Sequence, residues 1–144
     1  MNGFLRSLSI CFTAGVVGGL FNGVFVWAAG AFGLTAMLGV AIAPAWAPSW
    51  LYQRLVWGGV WGVLFLLPFL EGSVFLRGLL YGLPPSAVQL AVIFPNVLGK
   101  GMWGLELGAL TPALVLAANT VWGLAAAWWV CNNQGPARTR GFFG

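Results

Sequence analysis

The chain has 144 residues, of which 60% are hydrophobic and only 6% are charged. A soluble domain carries about 25% charged residues, so this composition excludes a water-soluble globular domain and a disordered chain. The apolar runs are continuous and do not alternate with polar residues, which also excludes an outer-membrane β-barrel. The composition therefore predicts an all-α, polytopic integral membrane protein.

The residues that usually carry catalysis or bind metal are scarce. The sequence has no histidine, two acidic residues (Glu71 and Glu106) and two widely separated cysteines, Cys11 and Cys131. Histidine is the commonest general base and metal ligand, and two carboxylates are too few for a metal cage. We therefore expect no catalytic, metal-binding or cofactor-binding residues. The six basic residues are scattered along the chain, so we expect no nucleic-acid partner.

The first apolar segment, residues 8–32, is long enough to cross a bilayer, which takes about 20 residues. Its uncharged stretch is too long for the apolar region of a signal peptide, so we interpret it as a retained span. Residues 34–43 are apolar but stop at Pro44, and ten residues cannot cross. This segment is predicted to be a short interfacial or re-entrant helix.

Three further segments complete a predicted single bundle of four transmembrane helices over residues 1–144: residues 50–70, 74–95 and 107–130. The third contains Pro84 and Pro85, which remove backbone donors and are expected to kink or break it. Residues 131–144 are predicted to be a polar tail.

Basic residues suggest the orientation. Four spans put both termini on the same side of the membrane. If that side is the cytoplasm, four basic residues lie inside and two lie outside, in agreement with the positive-inside rule. These are Arg6, Arg77, Arg138 and Arg140 inside against Arg54 and Lys100 outside. We therefore predict a multi-pass membrane protein with both termini in the cytoplasm and the lipid bilayer as its first partner.

Small residues recur at intervals of four along the first span. Gly15, Gly19 and Gly23 lie on one face of that helix, and this spacing lets helix backbones approach closely in lipid. The three glycines are therefore predicted to form a helix-packing face. The partner on that face could be another helix of this chain, a second copy or another membrane protein.

Four polar side chains interrupt the apolar spans: Asn22, Arg54, Gln89 and Asn119. Such residues are costly in lipid and are therefore candidates for function, here as an intramembrane polar cluster. Arg54 is close enough to the end of its span to snorkel to the interface. Alternatively it turns inward and meets Gln89 at an anion or lipid-phosphate site. For Asn22 and Asn119, hydrogen bonding between helices is the structural interpretation.

Two parts of the chain resemble each other. Arg54-Leu55-Val56-Trp57-Gly58 and Asn119-Thr120-Val121-Trp122-Gly123 each pair a polar residue with Val-Trp-Gly. Leu38-Gly39 and Leu107-Gly108 precede them, each followed by a proline. A parallel repeat would make the first two helices equivalent to the last two, an arrangement found in some transporters.

The same motifs carry a resemblance to small four-span bacterial inner-membrane proteins of the YagU-like kind. It covers about residues 10–130 and rests on Met37-Leu38-Gly39, the Arg54–Gly58 and Asn119–Gly123 motifs, the Arg77–Leu83 run and Phe94-Pro95. The resemblance implies a four-helix inner-membrane bundle without a known activity. Proteins of this kind often carry histidine where this chain has Arg54 and Asn119, so a proton or metal role at those positions does not transfer.

Three functions remain to be compared. The lack of catalytic groups and the glycine face favour a non-enzymatic bundle that acts through helix packing, as an accessory or assembly subunit or by interacting with lipid. This is the function that the sequence favours most, and a transporter is the alternative. The helix interrupted by prolines and the repeat favour a small transporter or channel for a small solute or anion, working alone or as a homo-oligomer. A membrane enzyme would need an activated nucleophile or an acid–base pair, and the sequence shows neither.

Overall fold

The computed structural model describes residues 2–134, and within that range the chain is all-helical without strands. Five α-helices follow one another along the chain: α1 (Gly3–Ala31), α2 (Leu34–Met37), α3 (Pro48–Gly62), α4 (Val74–Val88) and α5 (Thr111–Asn133). Three other helical segments extend or connect them: a 3-10 turn (Val63–Leu66), a π-helix (Gln89–Val97) and a 3-10 segment (Met102–Leu107).

Three helices in the described part of the chain are long and apolar enough to cross a membrane: Gly3–Ala31, Val74–Val97 and Thr111–Asn133. They correspond to the first, third and fourth predicted spans. The second predicted span, residues 50–70, is divided between the 15-residue helix α3 and the 3-10 turn that continues it. The all-helical, membrane-like character of the chain is therefore shown, with three helices of spanning length.

The contacts between glycines and neighbouring backbones reveal the direction of the helices. Along α1, Gly15 lies against Gly58 and Gly19 lies against Arg54, so α3 runs antiparallel to α1. In α4 and α5, Gly78 approaches Leu124 and Gly82 approaches Asn119, so these two helices are also antiparallel.

The pairing of α1 with α5 completes the arrangement. Asn22 bonds to Ala118, and the indole of Trp122 donates to the carbonyl oxygen of Gly15, so these helices are antiparallel as well. Helix α1 therefore lies between α3 and α5, and it runs parallel to α4. The core between them contains Phe65, Tyr81 and Trp122, each at most 3% exposed.

The two helix pairs repeat the same glycine contacts. A Cβ on Gly58 or on Gly123 would collide with the carbonyl oxygen of Gly15 or of Gly78, respectively. Within each pair a second contact lies one turn away, between Gly19 and Arg54 and between Gly82 and Asn119. The glycine contacts that pack α1 on α3 therefore have counterparts at equivalent positions between α4 and α5.

The two prolines of α4 do not end the helix. Helical structure continues from Val74 through Pro84 and Pro85, and from Gln89 to Val97 the hydrogen bonds take the wider π-helical spacing. Missing donors at proline can be compensated in membrane helices by such local adjustments and by serine side chains. Here Ser86 Oγ donates to the carbonyl oxygen of Gly82 at 2.7 Å.

The segment between α1 and α3 folds over one end of the bundle. Only the single turn α2 is helical, so the helix predicted for residues 34–43 is shorter than expected. The chain then runs without regular structure to Ala47, with Val40 buried and Ala43 packed closely on Gly30. The amide of Ala41 donates to the carbonyl oxygen of Leu107 at 2.8 Å, so the two Leu-Gly segments meet.

At the opposite end of the bundle, Arg77 binds backbone carbonyl groups where the 3-10 turn after α3 ends. Arg77 is 6% exposed, and its guanidinium donates to the carbonyl oxygens of Phe65 at 2.7 Å and Leu67 at 3.1 Å. Tyr81 also donates to Leu67, at 2.8 Å. These bonds satisfy carbonyls that the end of the 3-10 turn would otherwise leave without partners.

The C-terminal prediction is only partly covered by the structure. Helix α5 continues to Asn133, and the side chains of Asn132 and Asn133 donate back to the carbonyl oxygens of Trp128 and Trp129. The first residues of the predicted polar tail are therefore helical. Residues 135–144 lie outside the described part of the chain.

Candidate functional site

Arg54 lies in the first half of α3 and turns toward α1. Its guanidinium donates to Oδ1 of Asn22 at 2.6 Å and stacks on the ring of Trp50, with 4.4 Å from the guanidinium carbon to the ring centre. The side chain is largely buried, and its Nε atom has no hydrogen-bond partner. Of the two expectations for Arg54, the inward orientation is the one observed, although the residue that it meets directly is Asn22.

Asn22 connects Arg54 to helix α5. It is 6% exposed, and its Nδ2 atom donates to the carbonyl oxygen of Ala118 at 3.0 Å and to Oδ1 of Asn119 at 3.3 Å. Both ends of the amide are therefore used. Because Oδ1 accepts from Arg54, the amide nitrogen must point toward α5, and the Arg54 bond fixes the orientation of Asn22.

Asn119 extends the network to α4. Its Nδ2 atom donates to Oγ of Ser86 at 3.0 Å and to Oε1 of Gln89 at 3.5 Å. The four polar residues singled out in the sequence thus lie in one network, which joins α1, α3, α5 and the π-helical continuation of α4. Ser86 is a fifth member that the sequence analysis missed.

A signal for Ser86 was present in the repeat. Asn119 bonds to Ser86, 33 residues before it, as Arg54 bonds to Asn22, 32 residues before it. In each helix pair, the polar residue of the Val-Trp-Gly motif therefore reaches a polar residue at nearly the same spacing. Extending the repeat to the partner helix that lies earlier in the chain would have indicated a polar residue at the position of Ser86.

The donors in the network all point in the same direction, away from Arg54. The bonds run from Arg54 to Asn22, then to Asn119 and Ser86, and end at the carbonyl oxygen of Gly82. The positive charge thus lies at one end of a chain of neutral groups whose acceptor ends face it. Such polarised chains strengthen one another in a medium of low dielectric constant.

A small cavity lies against this network. Its volume is about 30 Å³, and its polar lining comes from Asn22, Arg54 and Gln89. The rest of the wall is apolar, and Ile42 contributes to it from the segment that folds over the end of the bundle. We call this space the Arg54 cavity. Its volume matches about one water molecule.

The glycine face of α1 positions the network. Gly19 lies against the carbonyl oxygen of Arg54, and a Cβ on Gly23 would stand 3.5 Å from Cδ of Arg54. This close approach brings Arg54 within reach of Asn22. The three predicted packing glycines, Gly15, Gly19 and Gly23, all face α3 of the same chain.

The network lies nearer to one end of the bundle. Along the helix axes, Arg54 is about 9 Å from the start of α3, Asn119 about 12 Å from the start of α5 and Asn22 about 14 Å from the end of α1. All three helix ends are on the side covered by residues 38–47. A helix crossing of about 30 Å would place these groups within the hydrocarbon region.

Residues 2–134 contain no group of three or more His, Cys, Asp or Glu side chains that could hold a metal ion. Comparison of the chain with protein-family models, with characterised proteins and with solved structures gives no match. The geometry of the site is therefore the basis for a functional proposal.

Proposed function

We propose that this chain is a small, non-enzymatic membrane transporter that carries a small polar solute or anion through the Arg54 cavity. The observation that carries this proposal is a cationic side chain held inside an apolar bundle by a neutral amide, with a cavity beside it. Charged groups within membrane bundles are expensive and commonly mark a substrate pathway.

The way in which α1 packs favours this function over the accessory role. The glycine face that could have received a helix of another protein is covered by α3. The intramembrane polar groups, by contrast, are collected around one cavity. The repeated contacts of the two helix pairs add support, since many transporters are built from repeats.

Transport is favoured over an open channel because large side chains fill the core on one side of the cavity. Toward the end of the bundle at which α1 begins, the bulky side chains of Phe65 and Trp122 are packed in the core. On the other side, Ile42 lines the cavity, and in this proposal it closes the cavity toward that end of the bundle. Passage would require these two barriers to open in turn, as in alternating access.

The proposal includes four crossings of the bacterial inner membrane. The long helices α1 and α4 run parallel, so the chain must return to the first side between them. The stretch from Pro48 to Leu66 is about 30 Å long when its α-helical and 3-10 parts are added, enough for the return. The resemblance to YagU-like proteins is consistent with this layout.

The orientation with both termini in the cytoplasm also belongs to this proposal. It puts the network in the outer half of the bilayer and residues 34–43 at the outer interface. Trp27, Trp46 and Trp50 form an aromatic cluster at that end, while Trp128 and Trp129 contact each other near the other end. Aromatic belts at both interfaces are typical of membrane proteins.

Uptake into proteoliposomes tests the proposed function. Liposomes with the purified chain are compared with empty liposomes for uptake of halides, nitrate, phosphate and small neutral solutes. We expect uptake of at least one solute that Arg54→Leu abolishes and that Arg6→Leu, which removes an exposed arginine, leaves intact. Equal uptake by protein-free liposomes for every solute would refute the proposal.

A second candidate is an accessory subunit of a larger membrane protein. The outer face of α3 and its 3-10 turn favours it, because this face forms an apolar groove of about 580 Å³ that includes Trp57, Val60 and Leu67. A transmembrane helix of the larger protein would fill it. Native mass after gentle extraction tests this role: a stoichiometric partner supports it, whereas a lone monomer or homo-oligomer supports the transporter.

A further inference from the structure

The charge of Arg54 has no counter-ion among the described residues. Its polar contact is the amide oxygen of Asn22, its stacking partner is Trp50, and its Nε atom is buried without a partner. The chain has two acidic residues. Glu71 lies in the turn between α3 and α4, beyond the far end of α3, and Glu106 lies in the 3-10 segment beside Gly101.

Burying such a charge costs free energy unless an opposite charge or hydrogen bonds replace its lost hydration. A buried cation away from water loses its hydration, and a single neutral acceptor restores only part of it. An anion beside the guanidinium would balance the charge and accept a hydrogen bond from it. The Arg54 cavity is the space next to the guanidinium in which such an anion could lie.

The polar groups around the cavity favour an anion over a cation. Gln89 lines the cavity, and its Oε1 atom already accepts from Asn119 at 3.5 Å. The amide nitrogen of Gln89 is therefore left as a donor. Oδ1 of Asn22 is engaged by Arg54, so the oxygen that could have bound a cation is already used.

The volume of the cavity limits the size of the anion. About 30 Å³ holds a species of about the size of one water molecule. A space of this size favours a monatomic ion over a phosphate, a sulfate, a carboxylate-bearing metabolite or a lipid headgroup. The apolar walls from Val26, Leu114 and Val115 suit an ion of low charge that has lost most of its water.

We propose that the Arg54 cavity binds a single halide ion, held by the guanidinium of Arg54 and the amide nitrogen of Gln89. This inference rests on the proposed function and deepens it, because it names the class of solute that the transporter carries. The halide would neutralise the charge of Arg54 while the ion crosses the outer half of the bilayer. A water molecule is the competing occupant of the same space.

Calorimetric titration of the purified full chain tests the inference. Sodium fluoride, chloride, bromide, phosphate and gluconate are titrated separately at constant ionic strength. We expect saturable binding of at least one halide and none of gluconate or phosphate. Binding of phosphate but of no halide would overturn the inference. The absence of all binding would also overturn it and would leave water as the occupant.

Three variants locate the ion. Arg54→Leu is expected to weaken halide binding by about tenfold or more, the loss produced when a charge-assisted hydrogen bond is removed. Gln89→Leu keeps the bond between Arg54 and Asn22 and should weaken binding by a smaller factor. Arg6→Leu removes an exposed charge from α1 and should leave binding unchanged. Equal weakening by Arg6→Leu would overturn the location.

The outcomes separate this inference from the proposed function. If no halide binds but uptake of another solute depends on Arg54, the inference is refuted and transport stands. If a halide binds but no solute is taken up, the site stands and transport is refuted. Because binding to the unaltered chain is measured first, a variant that fails to fold does not decide the result.

Discussion

Asn22 Oδ1 accepts the hydrogen bond of the Arg54 guanidinium at 2.6 Å, so a neutral amide from α1 holds the cation of α3. A carboxylate at this position would have formed an ion pair and neutralised the charge. An amide orients the guanidinium without neutralising it. This relationship makes the stability of the bundle depend unequally on the two residues.

The first prediction concerns that asymmetry. Asn22→Leu leaves the Arg54 charge without its acceptor and should lower the free energy of unfolding by about 1.5–3 kcal/mol. Arg54→Leu removes the costly charge but leaves the buried Oδ1 atom of Asn22 without a donor, so it should lower the free energy of unfolding by less than Asn22→Leu does. Both values are measured by denaturant titration in mixed micelles.

The double variant Asn22→Leu/Arg54→Leu is the control for this prediction. With both partners of the bond replaced, neither an unpaired charge nor an unpaired acceptor remains, so the double variant should lose less stability than the sum of the two single changes. A double variant as unstable as the sum of the two single changes would show that the bond between the two side chains has no energetic role.

The second prediction concerns the glycine face. Gly15→Ala introduces a Cβ that collides with the backbone of Gly58 and Gly62. Overpacking of this kind costs about 1–3 kcal/mol, and the thermal unfolding temperature in detergent should fall accordingly. Gly3→Ala lies on the same helix with nothing within 4 Å of its added Cβ. It should leave stability unchanged, and an equal loss in both variants would contradict the packing.

The third prediction concerns the end of α3. Arg77→Leu removes donors from the carbonyl oxygens of Phe65 and Leu67 and should lower the free energy of unfolding by about 1.5–3 kcal/mol. Tyr81→Phe removes one neutral bond to Leu67 and should cost about 0.5–1.5 kcal/mol. The same denaturant titration measures both, and a larger loss in Tyr81→Phe than in Arg77→Leu would contradict this account.

The fourth prediction concerns the number of crossings. Met37, which is 84% exposed before α3, and Phe69, which is 56% exposed after it, are each replaced by cysteine in a chain lacking Cys11 and Cys131. With α3 crossing the membrane, an impermeant thiol reagent added to intact cells should label position 37, and position 69 only after lysis. Labelling of both positions from the same side would mean that α3 does not cross.

Much of the fold follows from the sequence because lipid imposes simple rules. The continuous apolar runs indicated where the helices lie, and three of the four predicted spans are helices of spanning length. The behaviour of Pro84 and Pro85 was harder to foresee. Their missing donors are accommodated by Ser86 and by the change to π-helical spacing after Val88, and hydropathy does not report such changes in hydrogen bonding.

The site was partly predictable for a related reason. Polar residues within apolar spans are easily recognised, and all four of those recognised meet in one network. Ser86 was not recognised, because serine is common in membrane helices and stands beside two prolines. Which residue would receive Arg54 depends on how α1 and α3 pack, and single-sequence spacing does not specify that packing.

Flux and stability of Arg54→Leu, measured on the same preparation, test the central claim most directly. If Arg54 is there for transport, anion uptake into proteoliposomes should fall to the level of empty liposomes. The variant should meanwhile stay folded, with a smaller loss in the free energy of unfolding than Asn22→Leu shows. Uptake that persists without Arg54, or that is lost only together with stability, would contradict the account.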